Sequence, residues 1–283
     1  MTTPVQMLPL DRETRLALGL ASPAFLILAA LFILPLALLL AVSLQGAEGL
    51  SLAAYAKLLG TPHYLKIIWN SLSLALIVTG ISLLIGYPAS FAIARAKGHW
   101  RSLMLACLFL PLAASVIVKA FAWTILLRST GIVNQTLLFL GIIDQPIRMI
   151  FTETALVVGA VNIFLPFMVL PIFSVVAQFD RRLSEAAATL GANPLQAFLK
   201  VILPVTMPGV IAGVALVFSL SVSAYVVPTL LIGERFPTLA STIAKSYLLT
   251  REEAFGAASG VVLLAIAVAV VMLSARFGRE GRR

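Results

Sequence analysis

Charged residues are scarce in this chain of 283 residues, because only 11% of them are Asp, Glu, Lys or Arg, whereas 61% are hydrophobic. A soluble domain would carry about a quarter charged residues. The core of a soluble protein of this length could not bury so much apolar surface, but a lipid bilayer can solvate it. The composition therefore excludes an ordinary soluble domain and predicts a protein that crosses a membrane several times.

Residues that support catalysis or metal binding are equally rare. The single cysteine, Cys107, lies inside a hydrophobic run and excludes a disulfide framework. The two histidines, His63 and His99, fall in predicted loops on opposite sides of the membrane and cannot form one site. No Gly-x-x-x-x-Gly-Lys-Ser/Thr motif is present, so any ATP must be hydrolysed by another chain. The sequence predicts neither an enzyme nor a metal site.

Long hydrophobic runs dominate the remaining sequence. Each is about 20 residues or longer, enough to cross a hydrocarbon core of about 30 Å as a helix. Helices are expected because every backbone N–H and C=O in lipid needs an internal partner, and the runs lack the alternation typical of a β-barrel. The six predicted spans are residues 17–43, 67–94, 103–126, 152–176, 206–232 and 256–275.

The predicted fold class is an all-α polytopic membrane protein with six transmembrane helices. One transmembrane domain covers residues 17–275, between a short N-terminus at 1–16 and a basic tail at 276–283. Basic residues lie mainly at the ends of the spans rather than in one patch, so the net charge of +9 does not indicate a nucleic-acid partner.

The positions of the basic residues predict the orientation. With six spans both termini share one side, and the loops and termini of that side hold twelve basic residues against seven on the other. The side with more Lys and Arg is expected to be cytoplasmic. Both termini and the loop 177–205 are therefore predicted to lie in the cytoplasm.

The loop 177–205 carries the pattern Glu-Ala-Ala, three residues, Gly, nine residues, then Ile/Val-x-Leu-Pro. An alanine-rich segment favours helix, and a glycine permits a sharply turned backbone. Asn193 and Pro194 then form a helix-start signal, because Asn caps helices well and Pro suits the first helical position. We expect a short helix, a turn and another helix. The residues that carry the pattern are Glu185, Ala186, Ala187, Gly191, Leu203 and Pro204.

This pattern resembles the cytoplasmic loop by which permease subunits of binding-protein-dependent ABC importers contact their ATPase. An ordinary surface loop with an alanine-rich helix is the other interpretation. The chain from residue 130 to residue 213 also resembles the spermidine/putrescine permease subunit, the first of the two permease types in that system, which has the type I importer (MetI-like) fold. The matching segments are 128–131, 141–144, 146–148, 165–169 and 204–209, with looser matches at 69–72 and 86–88.

The resemblance implies a permease subunit of the bacterial inner membrane that forms half of a translocation pathway for a small solute. Its expected partners are a second, homologous permease subunit in a heterodimer, two copies of a cytoplasmic ABC ATPase, a periplasmic substrate-binding protein and the lipid bilayer. ATP and Mg²⁺ would bind to the partner ATPase, and this chain would hold no cofactor. The carboxylate of Glu185 would suit an Arg or Lys of that ATPase.

Polar residues inside the predicted spans are candidates for the pathway, since such residues are rare and costly in lipid. Asn162 is a stronger candidate because Pro166 has no N–H, which leaves the Asn162 carbonyl without its helical partner. A kink packed against neighbouring helices is the other explanation of the same pair. Serines also permit close helix packing, and Lys119 could snorkel outward or have Trp123 stacked on its ammonium. The candidates are Lys119, Asn162, Ser219, Ser221, Ser223 and Tyr225.

Two pairs within the fifth predicted span are spaced four residues apart. Ser219 with Ser223, and Ser221 with Tyr225, are each predicted to share a face of one helix.

Acidic residues are absent from the interior of every predicted span, although a polyamine dication would favour a carboxylate there. Either the soluble binding protein selects the substrate, or the substrate is a related small organic solute. Val227 and Pro228 stand where the polyamine subunit is expected to carry a polar or acidic pair. An ion- or proton-coupled secondary transporter is the alternative function, but it would be expected to carry intramembrane acids and inverted repeats. A membrane-embedded enzyme is disfavoured because no acid/base constellation is present.

Overall fold

The computed structural model describes residues 12–46, 49–180 and 182–280. Most of the predicted N-terminal segment 1–16 and the last residues of the predicted tail lie outside these ranges. The regular secondary structure of the described chain is helical except for a hairpin of two short antiparallel strands, β1 (Gln45–Gly46) and β2 (Gly49–Leu50). The all-α fold class is therefore confirmed.

Helices account for most of the remaining described chain, and turns and loops connect them. Two turns of π-helix cover Phe198–Ile202 and Ser246–Thr250, and a turn of 3₁₀-helix covers Gly233–Arg235. The α-helices are α1 (Arg12–Ser43), α2 (Ala53–Gly60), α3 (Pro62–Arg95), α4 (Gly98–Ala113), α5 (Val116–Leu126), α6 (Ile132–Phe139), α7 (Glu153–Val176), α8 (Arg182–Thr189), α9 (Pro194–Ala197), α10 (Leu203–Val222), α11 (Val226–Leu231), α12 (Leu239–Lys245) and α13 (Glu253–Glu280).

Five segments of the described chain are long and apolar enough to cross a membrane, and a sixth span results if the bent pair α4–α5 is counted as one. The five are Ser22–Ser43, Pro62–Arg95, Glu153–Val176, Pro194–Val222 and Glu253–Arg276. Each overlaps one of the predicted spans.

The third predicted span, 103–126, is not one straight helix. Its two halves meet at an angle of 103°. Pro111 supplies no N–H to the helix, Ala114 is extended, and the hydroxyl of Ser115 accepts a hydrogen bond from the backbone of Ile117 to start α5. A proline followed by a new helix cap is a common cause of such a break.

The fifth predicted span, 206–232, ends earlier than expected. Helix α10 ends at Val222, and α11 begins afresh at Val226. In a continuous helix the ring of Pro228 would crowd the carbonyl of Ala224. After the break Pro228 lies in the first turn of α11, where its missing N–H leaves no bond unmade.

The core is a bundle of α3, α7 and α10, held at close range by small residues. The buried side chain of Met168 on α7 lies between Gly86 of α3 and Gly213 of α10. A Cβ added to Gly86 would lie 2.9 Å from Met168 Cγ, and one added to Gly213 would lie 2.8 Å from Met168 Sδ. Lipid offers little hydrophobic force between helices, so such packing stabilises the bundle.

Candidate coupling segment, translocation pathway and outer cavity

The first half of the segment 182–204 is a short helix that ends in a Schellman motif. Gly191 has φ +85°, a left-handed conformation that glycine adopts without strain. Its N–H donates to the carbonyl of Ala188, and the N–H of Ala192 donates to the carbonyl of Ala187, both at 3.0 Å. These two bonds satisfy carbonyls at the end of α8 that have no partner within the helix. The turn expected at Gly191 is present.

The second half begins at a reciprocal helix cap. The side chain of Asn193 accepts from the N–H of Gln196 at 2.8 Å, and the side chain of Gln196 accepts from the N–H of Asn193 at 3.1 Å. Pro194 occupies the start of α9. The predicted helix, turn and helix are therefore confirmed as local structure, and both connections are fixed by hydrogen bonds.

The surface of this segment combines one acid with exposed apolar residues. Glu185, Ala186 and Pro204 are exposed, whereas Ala187 and Leu203 are half-buried. The side chain of Leu190 beside the turn is 88% exposed, and that of Leu195 on α9 is 65% exposed. Large exposed leucines next to a charge are typical of a protein-binding surface.

A π-helical turn within this segment joins α9 to the core helix α10. The N–H of Leu203 donates to the carbonyl of Phe198, a bond that spans five residues instead of four. Pro204 follows directly, and it has no N–H to offer to Lys200. π-Turns within α-helices are frequent at functional sites. The sequence analysis did not predict this π-turn, although the pair Leu203-Pro204 indicates a disturbed helix at this point.

Tyr87 of α3 contacts both sides of this π-turn. Its ring lies edge-on to Phe198 with the centroids 6.0 Å apart, and its hydroxyl lies 3.0 Å from that of Thr206. Thr206 is fully buried and donates to the carbonyl of Ile202, so the tyrosine hydroxyl donates to Thr206. The sequence marked Tyr87 only as part of a loose family match.

Two of the predicted pathway residues lie on α5 and α7, which pack together. Asn162 is exposed, and its side-chain oxygen accepts from the indole N–H of Trp123 at 3.2 Å. Trp123 therefore contacts Asn162 rather than stacking on Lys119, which is half-buried one turn earlier. Within the described ranges, no hydrogen bond joins Lys119 or Asn162 to the serines of α10.

The other four predicted pathway residues lie at the end of α10 or just beyond it. Ser221 is buried and Ser219 half-buried, and neither hydroxyl has a hydrogen-bond partner among the described residues. Ser223 is exposed and donates to the carbonyl of Ser219 at 2.7 Å. The expectation that Ser221 and Tyr225 share a helical face is wrong, because α10 ends at Val222 and Tyr225 precedes α11.

Tyr225 lines a cavity of about 590 Å³ on the side opposite the segment 182–204. The cavity lies between α11, α12 and the starts of α3 and α13, and we call it the outer cavity. Two carboxylates, Glu234 and Glu252, line it with Thr229 and Phe255. Sequence reasoning did not single them out, because an acid in a loop is usually a solvated surface residue.

Each carboxylate of the outer cavity is paired with a lysine. Lys57 Nζ lies 2.8 Å from Glu252 Oε2, and Lys245 Nζ lies 3.2 Å from Glu234 Oε1. The hydrogen bond to Glu252 raises the pKa of Lys57. A raised lysine pKa means that the pair stabilises the fold fully below the lysine's ordinary pKa and is lost as the pH rises through the raised one. Both pairs are partly exposed, so each contributes about 0–1 kcal/mol.

These features define a multi-pass membrane transport subunit with a capped helical segment on one side and a cavity on the other. A family model for the inner membrane component of binding-protein-dependent transport systems matches residues 86–279. The chain belongs to this family and is a permease subunit of an ABC importer in the inner membrane.

Several known proteins are similar over most of the chain. The spermidine/putrescine transport system permease protein PotB of Haemophilus influenzae is 37% identical over 248 residues, which are 84% of this chain and 86% of that protein. The PotB protein of Escherichia coli K12 is 38% identical over 209 residues, 74% of this chain and 76% of its own length. Nothing in these similarities supports a secondary transporter.

A solved bacterial ABC transporter involved in alginate import has a chain of the same fold. The two chains superpose with a TM-score of 0.75 at 18% identity, over 95% of this chain and 96% of the other. The type I importer fold expected from the sequence is thus confirmed, because so low an identity with so high a TM-score reports shared architecture.

Proposed function

We propose that this chain forms half of the translocation pathway of a polyamine importer and couples it to ATP hydrolysis through the segment 182–204. The observation that carries the coupling role is the capped helix–turn–helix at Gly191 and Asn193, joined by a π-turn to the core helix α10. The polyamine substrate is supported by the similarity to the spermidine/putrescine permeases.

The proposed assembly contains a second, homologous permease subunit, two copies of a cytoplasmic ABC ATPase and a periplasmic substrate-binding protein. This chain hydrolyses no ATP, since ATP and Mg²⁺ bind to the ATPase subunits. Both termini and the segment 182–204 lie in the cytoplasm, and the outer cavity faces the periplasm. The excess of basic residues on the side of the termini supports this orientation.

In the proposed mechanism, closure of the ATPase dimer moves the segment 182–204 as a unit. Its internal caps keep the two short helices rigid, and Glu185 with the exposed Leu190 and Leu195 contacts the ATPase. The π-turn passes the movement to α10, and Tyr87 passes it to α3. The spans then exchange between outward-facing and inward-facing states, each stabilised by different partners. Lys119, Asn162, Ser219, Ser221, Ser223 and Tyr225 are proposed to line or border the pathway in one of these states.

Affinity purification of the tagged chain in detergent tests this function. We expect a P-loop ATPase and a second permease subunit to co-purify, and the reconstituted complex to import labelled putrescine only with ATP and the binding protein. Import of putrescine by the isolated chain without an ATPase would contradict the proposal. Import of another solute but no polyamine would contradict the proposed polyamine substrate and would leave the coupling role unaffected.

Tyr87→Phe is expected to reduce ATP-driven uptake several-fold while the protein still inserts and assembles. The variant keeps the ring contact with Phe198 but loses the hydrogen bond to Thr206, a loss of about 1 kcal/mol. Uptake of labelled substrate and ATP hydrolysis are measured on the same vesicles, and we expect more ATP hydrolysed per substrate imported.

Tyr55→Phe is the matched control, because it removes a hydrogen bond to Ser43 far from the π-turn. Equal uptake by Tyr87→Phe and the native protein would show that the hydroxyl transmits nothing.

A further inference from the structure

Glu252, which lines the outer cavity, already binds an alkylammonium group, the side chain of Lys57. The ammonium of Lys57 lies 2.8 Å from the carboxylate of Glu252, 4.7 Å from the centroid of the Phe255 ring and 6.0 Å from that of Tyr64. A carboxylate combined with aromatic faces is an arrangement that binds organic ammonium ions. Phe255 is only 6% exposed and belongs to a buried cluster, so its ring is held in place by the core.

The chemistry of Lys57 indicates which ligand would fit in its place. A lysine side chain is a primary ammonium at the end of four methylene groups. Each end of a linear aliphatic diamine is the same group. The second carboxylate of the cavity, Glu234, is likewise occupied by the ammonium of Lys245, at 3.2 Å. One cavity therefore holds two carboxylates, each already satisfied by a group that a diamine can replace.

We propose that Glu252 and Glu234 form an outer diamine site, where the two ammonium groups of a passing polyamine displace Lys57 and Lys245. This inference rests on the proposed function, from which it takes the polyamine class and the periplasmic position of the cavity. The exchange conserves charge, because two ammonium groups leave the carboxylates as two others arrive. It also supplies acidic groups, which are absent from the interior of the predicted spans.

Because the two ion pairs are exposed, exchanging their lysines for a diamine costs little free energy. The side chains of Lys57 and Glu252 are 44% and 49% exposed, and those of Lys245 and Glu234 are 54% and 88% exposed. Displaced lysines can therefore be hydrated at once, and partly exposed pairs contribute little to stability. The lysines hold the affinity for the diamine low, and a transit site must bind weakly enough to release its substrate.

Two substitutions with opposite expected effects test the site. Lys57→Met removes the internal competitor and keeps an unbranched apolar stem, so the affinity for putrescine is expected to rise about fivefold. Glu252→Gln removes the acceptor charge, so the affinity is expected to fall about tenfold. A merely structural ion pair would give both variants the same sign, since either change breaks it.

The measurement uses the complete importer in detergent without its binding protein. Ligand-observed NMR titration with putrescine reaches the millimolar range, and butylamine, with one ammonium group, is expected to bind more weakly. Lys66→Met and Glu153→Gln are matched controls, because both residues are exposed and neither lines the cavity. We expect both controls to bind putrescine as the native complex does.

Parallel uptake assays with the binding protein separate this inference from the proposed function. Two results would overturn the outer diamine site alone if the importer still takes up polyamine. One is that Lys57→Met and Glu252→Gln change the affinity for putrescine equally. The other is that neither the native complex nor Lys57→Met gives a putrescine signal. If the importer takes up no polyamine, both the proposed substrate and the outer diamine site are wrong.

Discussion

Gly191→Pro is expected to abolish substrate uptake while the protein still inserts and assembles its core. Gly191 has φ +85°, whereas proline is confined to φ near −65°. Proline would also remove the N–H that donates to Ala188 at the end of α8. The turn must then open, and the two short helices lose the relative orientation that the proposed contact with the ATPase requires. Uptake of labelled substrate into vesicles carrying the complete importer measures the effect.

Gly191→Asn is the matched control for this prediction. Asparagine keeps the N–H and tolerates the left-handed conformation better than most residues, and nothing lies within 4 Å of an added Cβ. We expect this variant to retain much of the uptake. Full activity of Gly191→Pro would show that the turn has no part in coupling.

Charge reversal at Glu185 is expected to have a similar effect through a different step. Glu185 is exposed in the first turn of α8, so Glu185→Lys changes the surface without disturbing packing. We expect loss of uptake together with loss of the ATPase from detergent-purified complexes. Glu185→Gln, which removes the charge without reversing it, should be milder. Retention of the ATPase by Glu185→Lys would argue that this carboxylate does not face it.

Gly209→Leu is expected to prevent the formation of the folded core, with a cost of several kcal/mol. A Cβ at this position would lie 2.8 Å from the carbonyl oxygen of Pro171 and 3.0 Å from the Cα of Ile172. Both atoms belong to the backbone of α7, so no side-chain rotation can make room. Helices α7 and α10 would be forced apart along the contact that centres the bundle. Yield and thermal unfolding in detergent measure the result.

Gly80→Leu provides the control in the same bundle. Gly80 of α3 is exposed, and nothing lies within 4 Å of a Cβ added there. We expect this variant to insert and unfold like the native protein. Comparable losses in both variants would mean that leucine itself, rather than the close contact of two backbones, causes the defect.

Local chemistry made much of the fold predictable. A run of about 20 apolar residues in lipid forms a helix, because a helix satisfies its backbone hydrogen bonds internally. Each of the five long spans overlaps a predicted one. The turn at Gly191 and the helix start at Asn193 depend on neighbouring residues alone, so their residue types were enough to predict them. Contact with a partner ATPase is not a local property, so the proposed roles of Glu185 and Leu203 remain predictions.

Breaks inside apolar runs were harder to predict, because hydropathy does not register them. The run 103–126 is uniformly apolar, yet Pro111 and the cap at Ser115 bend it by 103°. The run 206–232 is equally continuous, yet it separates at Ser223 ahead of Pro228. Both prolines are visible in the sequence, but a proline kinks one helix and ends another according to the packing around it.

The sequence by itself determined the class of this protein, its helical spans and its capped helix–turn–helix at residues 182–204, because these follow from composition and from interactions between near neighbours. Only the tertiary structure decided that Tyr87 contacts both sides of the π-turn, and that Lys57 meets a carboxylate 195 residues away. Contacts of that kind depend on how helices pack in three dimensions, and no local pattern of residue types encodes them.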